Sequence, residues 1–386
     1  MKEETTGLYI HVPFCFSRCS YCAFYSTSEA DSPLINRYAL EIAEEVRNLM
    51  KQREKPYRTV YIGGGNPGML PVQALTSLAQ ILTQKGGVEE FTIEMNPESL
   101  TDRMVSIFDH GFNRLSVGIQ SLHERHLRTL GRSASLSATL RSLSTMRRLH
   151  LDKQIALSAD LMTCVPSQSI QDSISDIDRL LEALPLGHLS LYNLTYEEGT
   201  DLVRQRSRGD LKPFNEEMER EMLLTLWDYL EKQGLHQYEI SNFSGSASMR
   251  SKHNQLYWSD GLYDAVGPTA VGVIEREGVR YRSTGAPDLE TYISTPADRR
   301  YKLQELNRSE RIAEYILSAV RTTDGIDIGY MKEAFSFDFL DTCATQRAQI
   351  PASFWRRESL DRGRFSLTKE GLMLCDSITR LFLNAL

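Results

Sequence analysis

The chain has 386 residues, 41% of them hydrophobic and 25% charged, a balance that excludes a disordered chain and allows a barrel-sized domain with an appendage. Its net charge of −7 argues against general nucleic-acid binding. No apolar run approaches the ~20 residues that span a bilayer, and the polar opening Lys2-Glu3-Glu4-Thr5-Thr6 is unlike a secretory signal.

Short strand-like runs alternate with longer helical patterns. In chain order the pattern predicts a strand at Leu8–Val12, a helix at Leu34–Lys51, a strand at Thr59–Ile62 and a helix at Val72–Lys85. It continues with a strand at Phe91–Met95, a helix at Thr101–His110, a strand at Arg114–Ile119 and a helix at Leu136–His150. The last two pairs are Ile155–Met162 with Ser169–Leu184, and His188–Thr195 with Glu216–Gln233. Six such units predict an α/β fold with a parallel sheet. Residues 237–303 are aromatic and polar with short strand signals such as Val279–Arg282, and the polar run Ser294–Arg300 reads as a linker. Residues 304–386 are mainly helical, and Gly363–Thr368 reads as a small wing before a last helix. The expected domains are therefore 1–236, 237–303 and 304–386.

Between the first strand and the first helix lie Cys15, Cys19 and Cys22, spaced Cys-x3-Cys-x2-Cys with no fourth cysteine nearby. Three thiolates so spaced bind three irons of a [4Fe–4S] cube and leave the fourth open to a small molecule. Zinc would favour paired Cys-x2-Cys knuckles and need His11 as a fourth ligand. Six cysteines in the whole chain are too sparse for a disulfide framework; Cys164, Cys343 and Cys375 read as small buried hydrophobes. Reduced thiols and an oxygen-sensitive cluster point to the cytoplasm. Phe14, Phe16, Tyr21 and Phe24 are positioned in sequence to shield the cube from water. Gly63-Gly64-Gly65, just after the second strand, lets backbone approach a ligand or simply makes a tight turn. Glu94 is a candidate acceptor or a helix-capping carboxylate. Gln120, Arg132 and Asp160, taken alone, are ordinary polar residues near strand ends.

Several motifs occur in order: Tyr9-Ile10-His11-Val12-Pro13-Phe14-Cys15, Gly63-Gly64-Gly65-Asn66-Pro67, Glu94-Met95-Asn96-Pro97-Glu98 and Arg114–Ser121, then Leu130-Gly131-Arg132 and Asp160-Leu161-Met162. Gln237–Phe243 and His253-Asn254-Gln255-Leu256-Tyr257-Trp258 follow. The ordered set resembles the radical S-adenosylmethionine (radical SAM) proteins related to oxygen-independent coproporphyrinogen III oxidase, and within them the HemW branch of haem chaperones. The resemblance implies an incomplete (β/α)6 barrel with a C-terminal, winged-helix-like helical domain. It implies SAM bound at the strand C-terminal ends by Tyr9, Gly64, Gly65, Asn66, Glu94, Gln120, Arg132 and Asp160, with Cys15, Cys19 and Cys22 on the cluster. It raises His253 to a haem contact, against the alternative of a hydrogen-bonded packing histidine beside Trp258.

The chain departs from that pattern in three places. Asn66 and Gly68 stand in the usual Gly-Gly-Gly-Thr-Pro-Ser, Val271 replaces a histidine usual in the HemW branch, and Phe24 replaces the oxidase's last cysteine. Only fourteen residues precede Cys15, where the oxidase has a long arm. Phe24 and the short opening favour a haem chaperone that delivers haem to an acceptor, such as a membrane respiratory enzyme, without coproporphyrinogen oxidase activity. The rival is the oxidase itself, a radical SAM decarboxylase. A radical SAM haem-degrading methyltransferase is a third and weaker reading.

Overall fold

The computed structural model describes residues 6–386; the polar opening through Thr5 lies outside them. Six strands, β1 (Gly7–Val12), β2 (Thr59–Gly64), β3 (Glu90–Met95), β4 (Arg114–Gln120), β5 (Ala156–Thr163) and β6 (His188–Asn193), lie side by side in chain order, all parallel. Between them run α1 (Ser32–Lys51), α2 (Val72–Thr83), α3 (Asp102–Val105), α4 (Glu124–Thr129), α5 (Leu136–Lys153) and α6 (Ile170–Ala183). This is the incomplete (β/α)6 barrel expected from strand-helix alternation.

The helices start where local chemistry says they should. Asp31 caps α1 by accepting from the Leu34 N–H, Ser135 caps α5, and Ser169 with Asp172 forms a capping box on α6. One face of α1 (Tyr38, Ala39, Ile42, Val46, Met50) is buried, the i, i+4 stripe that a sheet-covering helix needs. The helix expected at Thr101–His110 breaks instead into α3 and a 3₁₀ turn at Ser106–His110. At the break the Ser106 hydroxyl donates back to the Arg103 carbonyl at 3.0 Å, a local bond that competes with the helical pattern.

Strand alternation divides the sheet into two faces. Leu8, Ile10, Val60, Ile62, Phe91, Ile93, Leu115 and Val117 join the hydrophobic core. The intervening Tyr9, Tyr61, Glu94, Ser116, Ser158 and Asp160 make a polar interior. Ser116 donates to Asp160 at 3.3 Å and the rings of Tyr9 and Tyr61 lie 6.3 Å apart across neighbouring strands.

After β6 the chain forms α7 (Asp201–Arg208) and α8 (Glu216–Lys232), then β7 (His236–Gln237), β8 (Asn242–Ser244) and α9 (Lys252–Trp258). Strand β9 (Tyr263–Val266) returns to the free edge of β1 and pairs with it in parallel. Strands β10 (Val271–Arg276), β11 (Val279–Gly285) and β12 (Tyr301–Glu305) extend that edge antiparallel, which makes one twelve-stranded sheet. The polar run read as a linker ends in a latch. Arg300 is 6% exposed and donates to Glu41 (2.6 Å) and Glu45 (3.2 Å) of α1.

Residues 307–386 are mostly helical and start from an Asn307–Glu310 capping box. A small sheet of β13 (Ile326–Asp327), β14 (Trp355–Arg356) and β15 (Arg364–Leu367) forms the expected wing ahead of the last helix, Cys375–Leu383. Among the described residues no helix is long and apolar enough to cross a membrane.

Candidate cluster and cofactor site

The cysteine loop leaves the C-terminal end of β1 and is held from three sides. Cys15 N–H donates to Thr27 O (3.0 Å) and Thr27 N–H to Pro13 O (2.7 Å), closing the loop at its base. Ser20 N–H donates to Leu130 O (3.0 Å), and Leu202 N–H, at the start of α7, donates to Ser20 O (2.7 Å). The glycine run after β2 is laced to the same loop by Gly65 N–H to Val12 O and Asn66 N–H to Phe14 O, both at 2.7 Å. A Cβ on Gly65 would lie 2.5 Å from Phe14 O and 3.0 Å from Cys15 Sγ, so the backbone can approach this closely only as glycine. Gly131 is a second such position. Its φ is +65°, and a Cβ there would lie 2.3 Å from Ser20 Oγ.

Cys15, Cys19 and Cys22 are half-buried free thiols. Burial pushes the Cys15 thiol up to about 11 and raises that of Cys22 as well. The aromatic shield differs from expectation. Phe16 and Phe24 are 54% and 70% exposed, while Phe14 is fully buried edge-on to Tyr38 at 5.2 Å. Only Tyr21, half-buried beside Arg132 and Cys19, keeps the position that shielding requires.

Below the loop, polar side chains from five strand ends converge. Tyr9 and Glu94 face the interior and are partly accessible; Asp160 is almost fully buried. Burial first, and then the charge of Asp160, push the Glu94 carboxyl up to about 8, although the Gly64 N–H and Tyr61 hydroxyl donate to it. Burial likewise lifts Asp160 to about 6, against hydrogen bonds from Ser190 and Ser116. His11 Nε2 lies 3.0 Å from the Tyr25 carbonyl, and Nδ1 lies 3.0 Å from the Tyr9 hydroxyl. A carbonyl cannot donate, so Nε2 carries the proton and Tyr9 donates to Nδ1. The Tyr9 oxygen keeps lone pairs to accept from a ligand.

Gln120 ends β4 at φ +64°, just past a register shift between Gly118 and Gln120. A non-glycine residue held there is the kind of backbone strain that clusters at functional sites. Arg132 follows the Gly131 turn and reaches back over the site. It donates to Cys19 Sγ (3.4 Å), Asn96 Oδ1 (3.0 Å) and Gly118 O (2.9 Å). Burial opposes its charge, but Tyr21, Cys19 and Glu98 hold it firmly cationic.

These residues fit the cofactors expected of them. Among the described residues, buried Gln120 Oε1 and Arg132 Nε have no hydrogen-bond partner; they are an acceptor and a donor that a bound amino acid moiety with ammonium and carboxylate ends would satisfy. Two carboxyls at the strand ends suit a cationic ligand. Among the described residues, no three His, Cys, Asp or Glu side chains close around a point where one metal ion would sit.

Two of the expected contact residues are enclosed by protein partners. The Asn66 side chain is fully buried, with Nδ2 donating to Ser99 Oγ (2.7 Å) and Oδ1 accepting from Asn96 N–H (3.2 Å). It staples the loops after β2 and β3 together and offers no surface to a ligand. His253 lies at the other end of the barrel, near the start of β2. It is fully buried, and its ring nitrogens meet Thr59 Oγ1 (2.9 Å) and Tyr257 OH (2.8 Å). Burial drives its pKa down to about 3. Glu90 at the start of β3 accepts from the backbone N–H groups of Lys252 (2.8 Å) and His253 (2.9 Å), so the helix carrying the motif plugs the base of the barrel. Its ring stacks on Tyr61 at 5.5 Å and leaves no nitrogen for iron.

Sequence reasoning missed Tyr61 and Ser190, and it quoted Asn96, Ser116 and Gly131 within motifs without giving them a role. Strand alternation on β2 and β4 marks Tyr61 and Ser116 as inward-facing. Nothing local in the sequence marks the pairing of Arg132 with Asn96. A separate cleft of about 300 Å³ opens among the N-terminal strand ends, lined by residues that include Glu89, Arg114, His150 and Lys252. It lies at the opposite end of the strands from the cysteine loop.

A partial barrel with three thiols at the mouth and carboxyls at the strand ends defines a cluster-bearing, SAM-type site. The radical SAM superfamily signature matches residues 9–208. The "Heme chaperone HemW" of Lactococcus lactis is 28% identical over 99% of this chain and 98% of its own length. A mitochondrial radical S-adenosyl methionine domain-containing protein 1 of Danio rerio is 31% identical, covering 96% of this chain and 85% of its own. In fold, the chain superposes on the Escherichia coli coproporphyrinogen III oxidase HemN with a TM-score of 0.76 at 18% identity, covering all of this chain and 91% of that one. The protein belongs to the radical SAM superfamily and, within it, to the HemW-like branch. Membership brings a [4Fe–4S] cluster and SAM as its cofactors.

Proposed function

We propose that this protein is a haem chaperone, binding haem and passing it to an acceptor protein. The observation that carries the reading is similarity along nearly the whole chain to a relative named as a haem chaperone, in a chain whose position 24 is an exposed phenylalanine rather than a fourth cysteine.

Cys15, Cys19 and Cys22 hold the cluster in this reading. Tyr9, Gly64, Gly65, Glu94, Gln120, Arg132 and Asp160 hold SAM, with Asn66 supporting them through the loops. The cluster, when bound, supplies an electron-transfer centre with an open iron. The chain's own contribution is a sheltered pocket and fixed polar groups. Tyr9 presents lone pairs, Arg132 neutralises charge beside Cys19, and Glu94 and Asp160 accept the ligand's positive groups. Because the Glu94 carboxyl starts raised to about 8, a cationic ligand draws it into the ionised form and releases a proton on binding near neutral pH.

Anaerobic reconstitution followed by parallel haem titration and coproporphyrinogen turnover tests the reading. We expect a stoichiometric haem-induced absorption change and no protoporphyrinogen. Turnover with SAM and a reductant restores the oxidase reading; no spectral change at stoichiometric haem removes the chaperone reading. Asp160→Ala should weaken SAM binding by calorimetry while the cluster absorption stays.

A further inference from the structure

With His253 sealed in the base of the barrel, haem needs another place. Side chains carrying an atom that ligates haem iron (histidine, cysteine, methionine or tyrosine) must also be accessible. Among the exposed large hydrophobic side chains, two of this kind stand at the barrel's open end: Tyr192, 38% exposed, and Met218, 49% exposed.

Their positions follow from neighbours. Ser190 bonds to Asp160 in the interior, so Tyr192, two residues on along β6, faces the same interior nearer the mouth. Met222 on α8 touches Cys164, just past the end of β5, with sulfurs 3.6 Å apart. Met218 lies one helical turn earlier on the same face of α8, therefore farther out above the strand ends. The adjacent Glu219 bonds to Asn193 at the end of β6, which places the first turn of α8 beside Tyr192. Arg206 of α7 lies 5.1 Å from the Tyr196 ring, and no ion pair of its guanidinium occurs among the described residues.

We infer that haem binds in the barrel mouth on the β5–β6 side, with the Met218 sulfur toward the iron and the Tyr192 ring against the macrocycle. The inference rests on the haem-chaperone reading. A flat apolar ring with two carboxylates matches this surface: aromatic and thioether groups meet the ring, and Arg206 meets a propionate. The thioether is the better ligand of the two. It has no proton to lose, whereas the Tyr192 phenol must shed one to bind iron as phenolate, beside the carboxyls of Asp160, Glu239 and Glu94. The exposed Phe16 and Phe24 of the cysteine loop also stand at this end of the barrel.

The test uses the reconstituted full chain and two probes, haem and iron-free protoporphyrin IX. Met218→Leu keeps volume and removes the sulfur. It should shift the haem absorption band and weaken haem several-fold, yet leave protoporphyrin binding unchanged. Tyr192→Ala should weaken both probes about tenfold, the scale of one lost aromatic contact. Both side chains are exposed, and retained cluster absorption verifies folding. Haem binding with unchanged band and affinity in both variants overturns the site and leaves the chaperone reading standing. Failure of the wild type to bind haem removes both.

Discussion

Glu94 offers the sharpest electrostatic test. Its carboxyl is raised from the ordinary 4.5 to about 8, chiefly by burial and then by Asp160. A raised folded-state pKa favours the folded protein fully below the unfolded value, and that advantage is lost as pH rises through the folded value. The window runs from about pH 4.5 to 8. At ~1.36 kcal/mol per pKa unit, complete ionisation costs at most about 5 kcal/mol. Water reaching a partly accessible side chain reduces this to about 2–3 kcal/mol. Glu94→Gln removes the titration and keeps the shape. In urea melts of cofactor-free protein, wild type and variant should be similar near pH 5, and the variant should be more stable by about 2–3 kcal/mol near pH 9. Parallel stability curves for the two proteins from pH 5 to 9 would refute the placement of this carboxyl in a mostly buried, carboxylate-facing interior.

Three further outcomes are expected. Replacing Cys15, Cys19 or Cys22 with alanine should abolish the cluster's visible absorption and its iron after anaerobic reconstitution; a triple variant with full iron and sulfide would falsify the cluster assignment. Gly131→Ala should lower cluster retention with all three thiols intact, because a Cβ there meets Ser20 Oγ at 2.3 Å and φ is +65°; iron content equal to wild type contradicts the requirement for glycine. Arg300→Met should cost about 3 kcal/mol in thermal or urea unfolding, the scale for leaving a partly buried ion pair without one partner, since Glu41 and Glu45 lose their guanidinium; a change under about 1 kcal/mol would make the latch ornamental.

Much of the frame is local and so was legible in the chain. Period-two and helical patterns placed β1 to β6 and their main helices to within a few residues, because apolar spacing follows which face is buried. The cysteine spacing and the glycine run are also local, and both fall at strand C-terminal ends as parallel βα units require. Side-chain fates were decided elsewhere. Phe14, Phe16 and Phe24 are alike in sequence, yet one is packed on Tyr38 from α1 and two face solvent. His253 reads as a ligand in its motif and is sealed at the barrel base by Thr59, which stands 194 positions away. Arg132 meets Cys19 across 113 positions, and β9 closes on β1 across the whole barrel. Such contacts depend on how strands register and curl, which no local pattern encodes. The chain alone therefore determined which chemistry stands at the strand ends, and the tertiary structure decided which groups face it and which are enclosed.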